Sequence, residues 1–228
     1  MLLEKEGVLP LLENWTDADT RLSPKLDDLE FIYELARGLK AKVVLEFGIG
    51  YSTLVLATAL EKNKEEWDGD TKPFKTNDNL FTVNVVEANN DGRWISGAMH
   101  NIRDRMPVDN IRVTSCPVMA GTFNDRICHY YTRIPNVLPD FIYLDAPDPM
   151  HVNGNIRGVH FNHSEALPMS GDLLFIEPIL LPGTTIVVDG RTSNARFLQR
   201  NFQREWYHNR YADKDMTVFM LKEKGLKE

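Results

Sequence analysis

Residues 42–60 constrain the fold most, because a short apolar run is followed at once by two glycines and a helical pattern. Val43–Phe47 has the length and the apolar character of a strand that is buried on both faces of a sheet. Gly48 and Gly50 then let the backbone turn sharply and approach a ligand with no Cβ in the way. The free N–H groups of the following helix, residues 54–60, point back towards that turn. This order of elements predicts the ligand-binding edge of an α/β sheet.

The residues around the glycines distinguish two classes of nucleotide-binding protein. Thr53 stands at the third glycine of the dinucleotide fingerprint, so a nicotinamide enzyme would lose the glycine against which its helix packs. Glu46 begins a run of an acidic residue, any residue and then Gly-x-Gly. Residues 46–50 thus resemble the first motif of the class I S-adenosylmethionine-dependent methyltransferases. Ser52 or Thr53 is expected to cap the helix that follows.

Further apolar runs predict the other strands. They span residues 81–86, 111–115, 140–144 and 185–188, and two final runs, Trp206–Tyr211 and Met216–Leu221, predict a β-hairpin. Helical patterns separate the strands, which predicts a doubly wound, mostly parallel α/β sheet with right-handed crossovers. Class I methyltransferases have seven strands and such a closing hairpin, whose final strand is antiparallel. The resemblance covers roughly residues 23–222 and implies this Rossmann-like, seven-stranded fold.

The 228 residues are expected to form a single domain. Residues 1–22 form a lead-in without recognisable chemistry, and Ser23 and Pro24 predict the start of a packing helix. Residues 61–79 are polar and are predicted to form an exposed insertion. Residues 147–168 follow the predicted strand 140–144 at the edge of the sheet where a methyl acceptor would bind, so they are the candidate lid.

The acidic balance of the chain limits its partners. A net charge of -7 and a pI near 5.4 argue against a broad nucleic-acid-binding face, which needs Lys and Arg to neutralise phosphates. The charged N-terminus does not resemble a secretory signal, and no apolar run approaches membrane-spanning length. Cys116 and Cys128 lack CxxC spacing, so buried thiols are expected rather than a metal or redox pair. We expect a cytoplasmic protein with a small-molecule substrate and no membrane contact.

The strand that ends at residue 86 places Glu87 at the ligand edge, since parallel strands present their carboxyl ends to one crevice. A carboxylate there can accept hydrogen bonds from both hydroxyls of a ribose. Ser115 stands where many methyltransferases carry an acidic residue for the adenine amino group. The resemblance implies S-adenosyl-L-methionine as the cofactor, bound by Glu46, Gly48, Gly50, Tyr51, Ser52, Glu87, Ala88 and Ser115.

Two aspartates, Asp145 and Asp189, follow predicted strands and are the first catalytic candidates. If the strands are ordered as in the family, they end adjacent strands about 5 Å apart. Such a pair could hold Mg²⁺ and lower the pKa of an acceptor hydroxyl, as the resemblance to metal-dependent catechol-type and sugar O-methyltransferases implies. Gly190 departs from that family pattern, because it supplies no side-chain ligand. The alternative is that Asp145 bonds backbone amides and Asp189 tethers the following turn or helix.

A metal-free reaction would need another proton acceptor, and the candidate lid contains three histidines, His151, His160 and His163. His163 is our first choice as general base, because imidazole titrates near neutral pH. Three charged residues are candidates for orienting a polar acceptor: Asp148, Arg157 and Arg191. Structural hydrogen bonds or solvated surface charge are the alternative roles of all six side chains.

These patterns predict methyl transfer to a hydroxyl of a small polar molecule such as a sugar or a phenol. Asp145-Ala-Pro-Asp148 also resembles the Asp-Pro-Pro-aromatic motif of amino-methyltransferases, but Asp148 replaces the aromatic residue that stacks on a flipped base. N-methylation of a nucleobase or amine is therefore the alternative activity. A nicotinamide enzyme and a non-catalytic nucleotide-binding module are the alternatives outside the methyltransferases.

Overall fold

The computed structural model describes residues 1–13, 15, 24–68, 80–88, 92–163, 166–167 and 169–222. Its helices are α1 (Leu2–Lys5), α2 (Leu9–Leu12), α3 (Leu26–Gly38), α4 (Tyr51–Glu65), α5 (Gly92–Arg103), α6 (Asp172–Ile176) and α7 (Thr192–Asn201). Its strands are β1 (Val43–Phe47), β2 (Thr82–Glu87), β3 (Ile111–Ser115), β4 (Val118–Phe123), β5 (Arg126–Tyr131), β6 (Phe141–Leu144), β7 (Val152–Asn153), β8 (Thr185–Asp189), β9 (Trp206–Tyr211) and β10 (Met216–Leu221). Within these ranges, no helix has both the length and the apolar character that crossing a membrane would need.

Seven strands form the main sheet in the order β3-β2-β1-β6-β8-β10-β9. All neighbours are parallel except β10, which runs antiparallel to both β8 and β9. The chain builds outwards from β1 through β2 to β3, then returns to place β6 on the other side of β1. The predicted seven-stranded, mostly parallel sheet with a C-terminal antiparallel hairpin is confirmed. The order reverses between β1 and β6, where doubly wound sheets open a ligand crevice.

The central strands are apolar on both faces because helices cover both faces of the sheet. Val44 and Val85 pack on the side of α3 and α4, whereas Leu45 and Val86 pack on the side of α6 and α7. Every residue of β1 and β2 is buried, which explains why neither strand shows polar alternation. This packing fixes the ends of β1 and β2 rigidly at one edge of the sheet.

A second sheet, in the order β5-β4-β7, was not predicted from the sequence. Strands β4 and β5 form an antiparallel hairpin around Asn124 and Asp125, which both have positive φ, at 48° and 61°. That two-residue loop is the signal that was overlooked, because Asn and Asp tolerate the left-handed conformation that tight hairpins require. Strand β7 lies inside the candidate lid and pairs with β4, so part of residues 147–168 belongs to this sheet. Residues 164, 165 and 168 of the lid lie outside the described residues.

Several predicted helix boundaries were wrong. Helix α4 runs from Tyr51 to Glu65, so residues 61–65 are helical rather than part of an exposed insertion, and basic residues in the last turn favour this extension. Of the remaining insertion, residues 69–79 lie outside the described part of the chain.

The start of α3 also differs from the prediction. The helix begins at Leu26 with Lys25 at the N-cap, whereas Ser23, the predicted cap, lies outside the described residues. Lys25 has no side-chain cap bond, but Asp27 and Asp28 lie in the first turn, where the helix dipole favours negative charge. These two charges stabilise the start of the helix.

Candidate functional site

The two glycines of the β1–α4 turn have different roles. Gly48 has a φ of +101°, and a Cβ at this position would lie 3.1 Å from the Cβ of Ala146. Both the conformation and the close approach therefore require glycine at residue 48. Gly50 has a φ of 179°, which any residue adopts, and a Cβ there would meet no atom within 4 Å. The turn does not need Gly50, contrary to our prediction, and the space beside it is left open for a ligand.

Ser52 and Thr53 lie inside α4 instead of capping it, because the helix already begins at Tyr51. The Thr53 hydroxyl accepts a hydrogen bond from the Gly50 N–H at 3.1 Å. The Ser52 hydroxyl instead donates to Oε1 of Glu46 at 2.5 Å. The two hydroxyls thus hold the turn and its acidic residue in place, so the predicted cap was wrong.

Glu46 is an ionisable group with incomplete hydrogen bonding inside the protein. Its side chain is fully buried, and Oε2 has no partner among the described residues. Burial raises the pKa of Glu46 to about 8, against the lowering effect of the Ser52 and Thr53 hydroxyls, and the Asp145 and Glu87 charges raise it further. A buried carboxyl with one open oxygen is suited to hydrogen-bond a ligand, because that oxygen can donate while the carboxyl is protonated and accept once it is ionised.

Glu87 ends β2 beside the same turn. Phe47 and Val86 are partners in the parallel register, and the Glu87 carboxylate accepts a hydrogen bond from the Ile49 N–H at 3.0 Å. Ser115 is the register partner of Glu87 on β3, and its side chain is exposed. Ala88 is buried directly after Glu87. The structure therefore brings the predicted cofactor residues of three adjacent strand ends to one edge of the sheet.

Trp15 joins this edge from the N-terminal segment, in which the sequence showed no chemistry. Its ring stacks on Tyr51 with centroids 4.0 Å apart and an interplanar angle of 30°. The Arg105 guanidinium lies 5.9 Å from the Trp15 ring centroid and also donates to the Glu13 carbonyl at 3.0 Å. Tyr51 is the first residue of α4, so the aromatic pair flanks the glycine turn. No local pattern in residues 1–22 could have indicated this contact, because it is set by tertiary packing.

Asp145 and Asp189 leave neighbouring strands on the other side of β1. Leu144 and Val188 are register partners of β6 and β8, so the two aspartates occupy adjacent positions at the sheet edge. The Tyr143 hydroxyl donates a hydrogen bond to Oδ2 of Asp189, which fixes that carboxylate.

Burial and charge raise the pKa of both aspartates. The Asp145 side chain is open to solvent, but the protein around it desolvates the carboxyl. This desolvation and the nearby Asp189 charge raise the pKa of Asp145 to about 7. Burial likewise raises the pKa of Asp189, against the hydrogen bond from Tyr143. Two carboxylates that resist ionising together favour a proton or a cation between them.

Asp145 and Asp189 offer two carboxylates at adjacent strand ends. Mg²⁺ is commonly held by one or two carboxylates together with water and substrate oxygens. Within the part of the chain that the structure describes, no group of three or more His, Cys, Asp or Glu side chains is arranged to hold a metal ion.

Arg191 connects the two loops that follow β6 and β8. Its Nη1 donates to the Pro147 carbonyl at 2.8 Å and its Nη2 to the Asp145 carbonyl at 2.9 Å. We predicted that this guanidinium would orient the acceptor, but the contacts in the structure hold the backbone of the neighbouring loop. Arg191 therefore positions Asp145 relative to β8.

The three predicted histidines lie in or near the second sheet. His163 is exposed, with its ring centroid 5.8 Å from that of His160, and His151 ends a short 3₁₀ turn. His160 also lines an open cleft of about 470 Å³ together with Val152, Asn153, Gly154, Asn155, Gly158 and Asn162. The Asp148 carboxylate accepts a hydrogen bond from the Met150 N–H at 2.8 Å and caps the 3₁₀ turn, which is a structural role.

Comparison with solved structures identifies the architecture. The S-adenosylhomocysteine-bound methyltransferase of Podospora anserina is similar with a TM-score of 0.56 and 13% identity, over 93% of this chain and 88% of that one. This chain has the methyltransferase fold. The O-methyltransferase of Bacillus cereus, solved with S-adenosylhomocysteine, matches with a TM-score of 0.50 and 16% identity, over 97% and 89% of the two chains. An O-methyltransferase of tomaymycin synthesis from Streptomyces achromogenes, solved with S-adenosylmethionine, matches with a TM-score of 0.50 and 14% identity, over 90% and 83%. No protein-family model and no curated protein sequence matches the chain.

Proposed function

We propose that this protein is an S-adenosylmethionine-dependent methyltransferase that acts on a hydroxyl of a small polar molecule. The proposal rests mainly on one observation, the open space at Gly50 between two acidic strand ends. Glu46 is the penultimate residue of β1 and Glu87 is the last residue of the adjacent strand β2, and Gly50 leaves room that the turn itself does not require. The methyltransferase fold supports the same assignment, because its crevice lies at this edge of the sheet.

The edge of the sheet at the ends of β1, β2 and β3 would bind the methyl donor, and we call it the donor edge. Its residues have separate roles. Glu87 would accept hydrogen bonds from the ribose hydroxyls, while continuing to hold the Ile49 N–H. The unpaired Oε2 of Glu46 would form a hydrogen bond with the cofactor, while the Ser52 hydroxyl donates a hydrogen bond to Oε1. Trp15 and Tyr51 would cover the turn from the N-terminal side. Gly48, Ala88 and Ser115 complete this proposed site.

Bound S-adenosylmethionine supplies an electrophilic methyl group on a sulfonium. The protein would have to align an acceptor hydroxyl with that methyl group and to take up the proton of the hydroxyl. Asp145 and Asp189 lie at adjacent strand ends on the other side of β1 and are the proposed acceptor-side carboxylates. They would also hold a divalent cation such as Mg²⁺, which would lower the pKa of the hydroxyl. His163 is the proposed base of a metal-free reaction.

Two structural neighbours support oxygen as the acceptor atom, since they are named as O-methyltransferases from Bacillus cereus and Streptomyces achromogenes. The exposed carboxylate of Asp145 is consistent with a polar acceptor. Asp148 caps a turn where an amino-methyltransferase motif would have its stacking aromatic residue. N-methylation of a nucleobase or amine is therefore the alternative result when phenols, sugars and amines are compared as methyl acceptors.

Isothermal titration calorimetry with S-adenosylmethionine, S-adenosylhomocysteine and NAD tests the donor assignment. We expect both sulfur compounds to bind and NAD not to bind, because the turn lacks the third glycine. Binding of NAD alone would refute the assignment, whereas donor binding without transfer to any phenol, sugar or amine would indicate a binding module.

The acceptor side is tested by chelation of metal ions. If a cation aligns the acceptor, EDTA should abolish methyl transfer and added Mg²⁺ should restore it, while calorimetric donor binding persists. Asp189→Asn should then reduce transfer steeply, because the cation would lose an anionic ligand. Full activity in EDTA together with an Asp189→Asn variant that behaves as wild type would exclude the cation and favour His163.

A further inference from the structure

Four buried polar side chains outside the proposed donor edge lie together where the second sheet meets α7. His129 and Tyr131 are alternate residues of β5 and project from the same face, with ring centroids 6.2 Å apart. Ser170 pairs with His129 through an isolated parallel bridge, and its N–H donates to Oδ1 of Asn194 at 3.0 Å. The exposed fraction is 5% for Tyr131 and zero for the other three. We call His129, Tyr131, Ser170 and Asn194 the polar cluster.

The polar cluster is short of hydrogen-bond partners. Among the described residues, nothing pairs with either ring nitrogen of His129, the hydroxyls of Tyr131 and Ser170, or the amide nitrogen of Asn194. An unsatisfied buried polar group costs about 1–3 kcal/mol, and native proteins satisfy nearly all of them. Five such atoms in one place therefore indicate a polar occupant rather than five separate defects.

The polar cluster borders the acceptor side of the sheet edge. The ring of Tyr131 lies 5.4 Å from that of Phe47, the last residue of β1. Asn194 lies in the first turn of α7, which directly follows β8. Arg191, which connects the loops after β6 and β8, is near enough for its charge to act on His129. The cluster thus lies beside the edge that carries the proposed acceptor carboxylates.

The chemistry of the unpaired groups selects a class of ligand. Burial and the Arg191 charge lower the pKa of His129 to about 3, so its ring is neutral and has one donor and one acceptor nitrogen. An ionised carboxylate or a fully ionised phosphate ester cannot satisfy that acceptor nitrogen, since it carries no hydrogen to donate. A hydroxyl both donates and accepts, as do the hydroxyls of Tyr131 and Ser170. Neutral molecules with neighbouring hydroxyl groups therefore match the cluster best.

We propose that the polar cluster is the subsite that binds the hydroxyl-bearing part of the methyl acceptor, a neutral polyhydroxylated molecule. The identity of the ligand as an acceptor rests on the proposed function, whereas the unpaired groups are a property of this protein alone. Because the four side chains are closed to solvent, binding requires local separation of β5 from the neighbouring segment. That contact includes the hydrogen bonds from His129 N–H to the Met169 carbonyl at 2.8 Å and from Gly171 N–H to the His129 carbonyl at 2.9 Å, and the one from Tyr131 N–H to the Asp172 carboxylate at 3.1 Å.

Thermal unfolding of the unliganded protein gives the first test. Tyr131→Phe and Ser170→Ala each remove an unpaired hydroxyl with almost no change of shape, so we expect melting temperatures equal to or above that of wild type. Tyr143→Phe is the matched control, because it removes a buried hydroxyl that donates to Asp189 and should lower the melting temperature. If the cluster variants melt as far below wild type as this control, the hydroxyls are already paired and the inference is overturned.

Binding of catechol and myo-inositol to the protein–S-adenosylhomocysteine complex gives the second test. We expect saturation-transfer NMR to detect at least one of them, and Tyr131→Phe and Ser170→Ala to weaken it by about tenfold while S-adenosylhomocysteine affinity stays unchanged. Hydrogen exchange of the His129 and Gly171 amides should become faster when the probe binds, because the bound state keeps β5 separated from the neighbouring segment. Failure of both probes to bind wild type, or equal binding to the variants, would overturn the inference. Failure of wild type to bind S-adenosylhomocysteine would instead refute the proposed function, and the melting comparison would then decide the cluster separately.

Discussion

Replacing Glu46 with glutamine measures how much the buried Glu46 carboxyl lowers the free energy of unfolding of the unliganded protein. The carboxyl is fully buried, and burial raises its pKa from 4.5 to about 8. Between these values the folded protein retains a proton that the unfolded chain releases. The stability that this proton contributes is fully present below the unfolded pKa of 4.5, and it is lost as the pH rises through about 8.

The size of the effect follows from the two pKa values of Glu46. Each pH unit between them removes about 1.4 kcal/mol from the free energy of unfolding. From the unfolded pKa of 4.5 to neutral pH the loss is therefore about 3 kcal/mol, a large share of the stability of an ordinary domain. Glutamine cannot ionise and still offers an oxygen to the Ser52 hydroxyl. Glu46→Gln should thus be about 3 kcal/mol more stable than wild type at neutral pH, and the difference should vanish near about pH 4.

Urea unfolding followed by circular dichroism between about pH 4 and pH 8.5 checks this expectation. Ser52→Ala is the matched control, because the Ser52 hydroxyl lowers the pKa of Glu46 and its loss should extend the decline of stability to higher pH. Calorimetry of the same Glu46→Gln protein should show weaker donor binding, since one carboxylate oxygen is replaced by an amide. A stability difference between Glu46→Gln and wild type that is constant across the pH range would refute the electrostatic reasoning.

Three further predictions concern individual side chains. Gly50→Ala should leave the melting temperature unchanged but abolish binding of the methyl donor in calorimetry. Gly48→Ala should instead destabilise the fold by about 1–3 kcal/mol. Equal effects of the two variants on melting temperature and on donor binding would contradict the separate roles of the two glycines. Glu87→Gln should weaken donor binding by roughly 1.5–3 kcal/mol while the amide oxygen still accepts from Ile49; wild-type affinity would show that the ribose lies elsewhere. Glu177→Ala should lower the unfolding free energy by about 3 kcal/mol, because three partly buried donors lose one buried carboxylate; urea unfolding measures this, and a loss below about 1 kcal/mol would contradict it. Those donors are the N–H groups of Gln203 and Arg204 and the Trp206 indole.

The main sheet could be predicted from the sequence because its strands are buried on both faces. Ile111–Ser115, Trp206–Tyr211 and Met216–Leu221 were predicted with the bounds that the structure gives. The order of the strands came from the family resemblance rather than from periodicity. Glu87 could be placed at the ligand edge because a parallel sheet presents all its strand ends to one side.

The second sheet and the polar cluster could not be predicted in this way. Strands β4 and β5 contain Gly121 and His129, which weaken the apolar pattern, and β7 has only two residues. The His129 side chain is fully buried, although a histidine in sequence gives no sign of burial. Ser170 and Asn194 are brought to His129 by packing across about 40 and 65 intervening residues, so no local spacing connects them.

Gly171 shows how closely the second sheet is fitted to the rest of the chain. A Cβ at this residue would lie 2.4 Å from the ring of Tyr130, so glycine lets the segment after Ser170 reach β5. By contrast, β4, β5 and β7 share no strand pairing with the seven strands of the main sheet. Substitutions in the hairpin can therefore accumulate during evolution without altering the hydrogen bonds that hold β1 beside β2. Related proteins could therefore change the molecule that they methylate through substitutions in β4 and β5, while the proposed cofactor site at the ends of β1 and β2 stays the same.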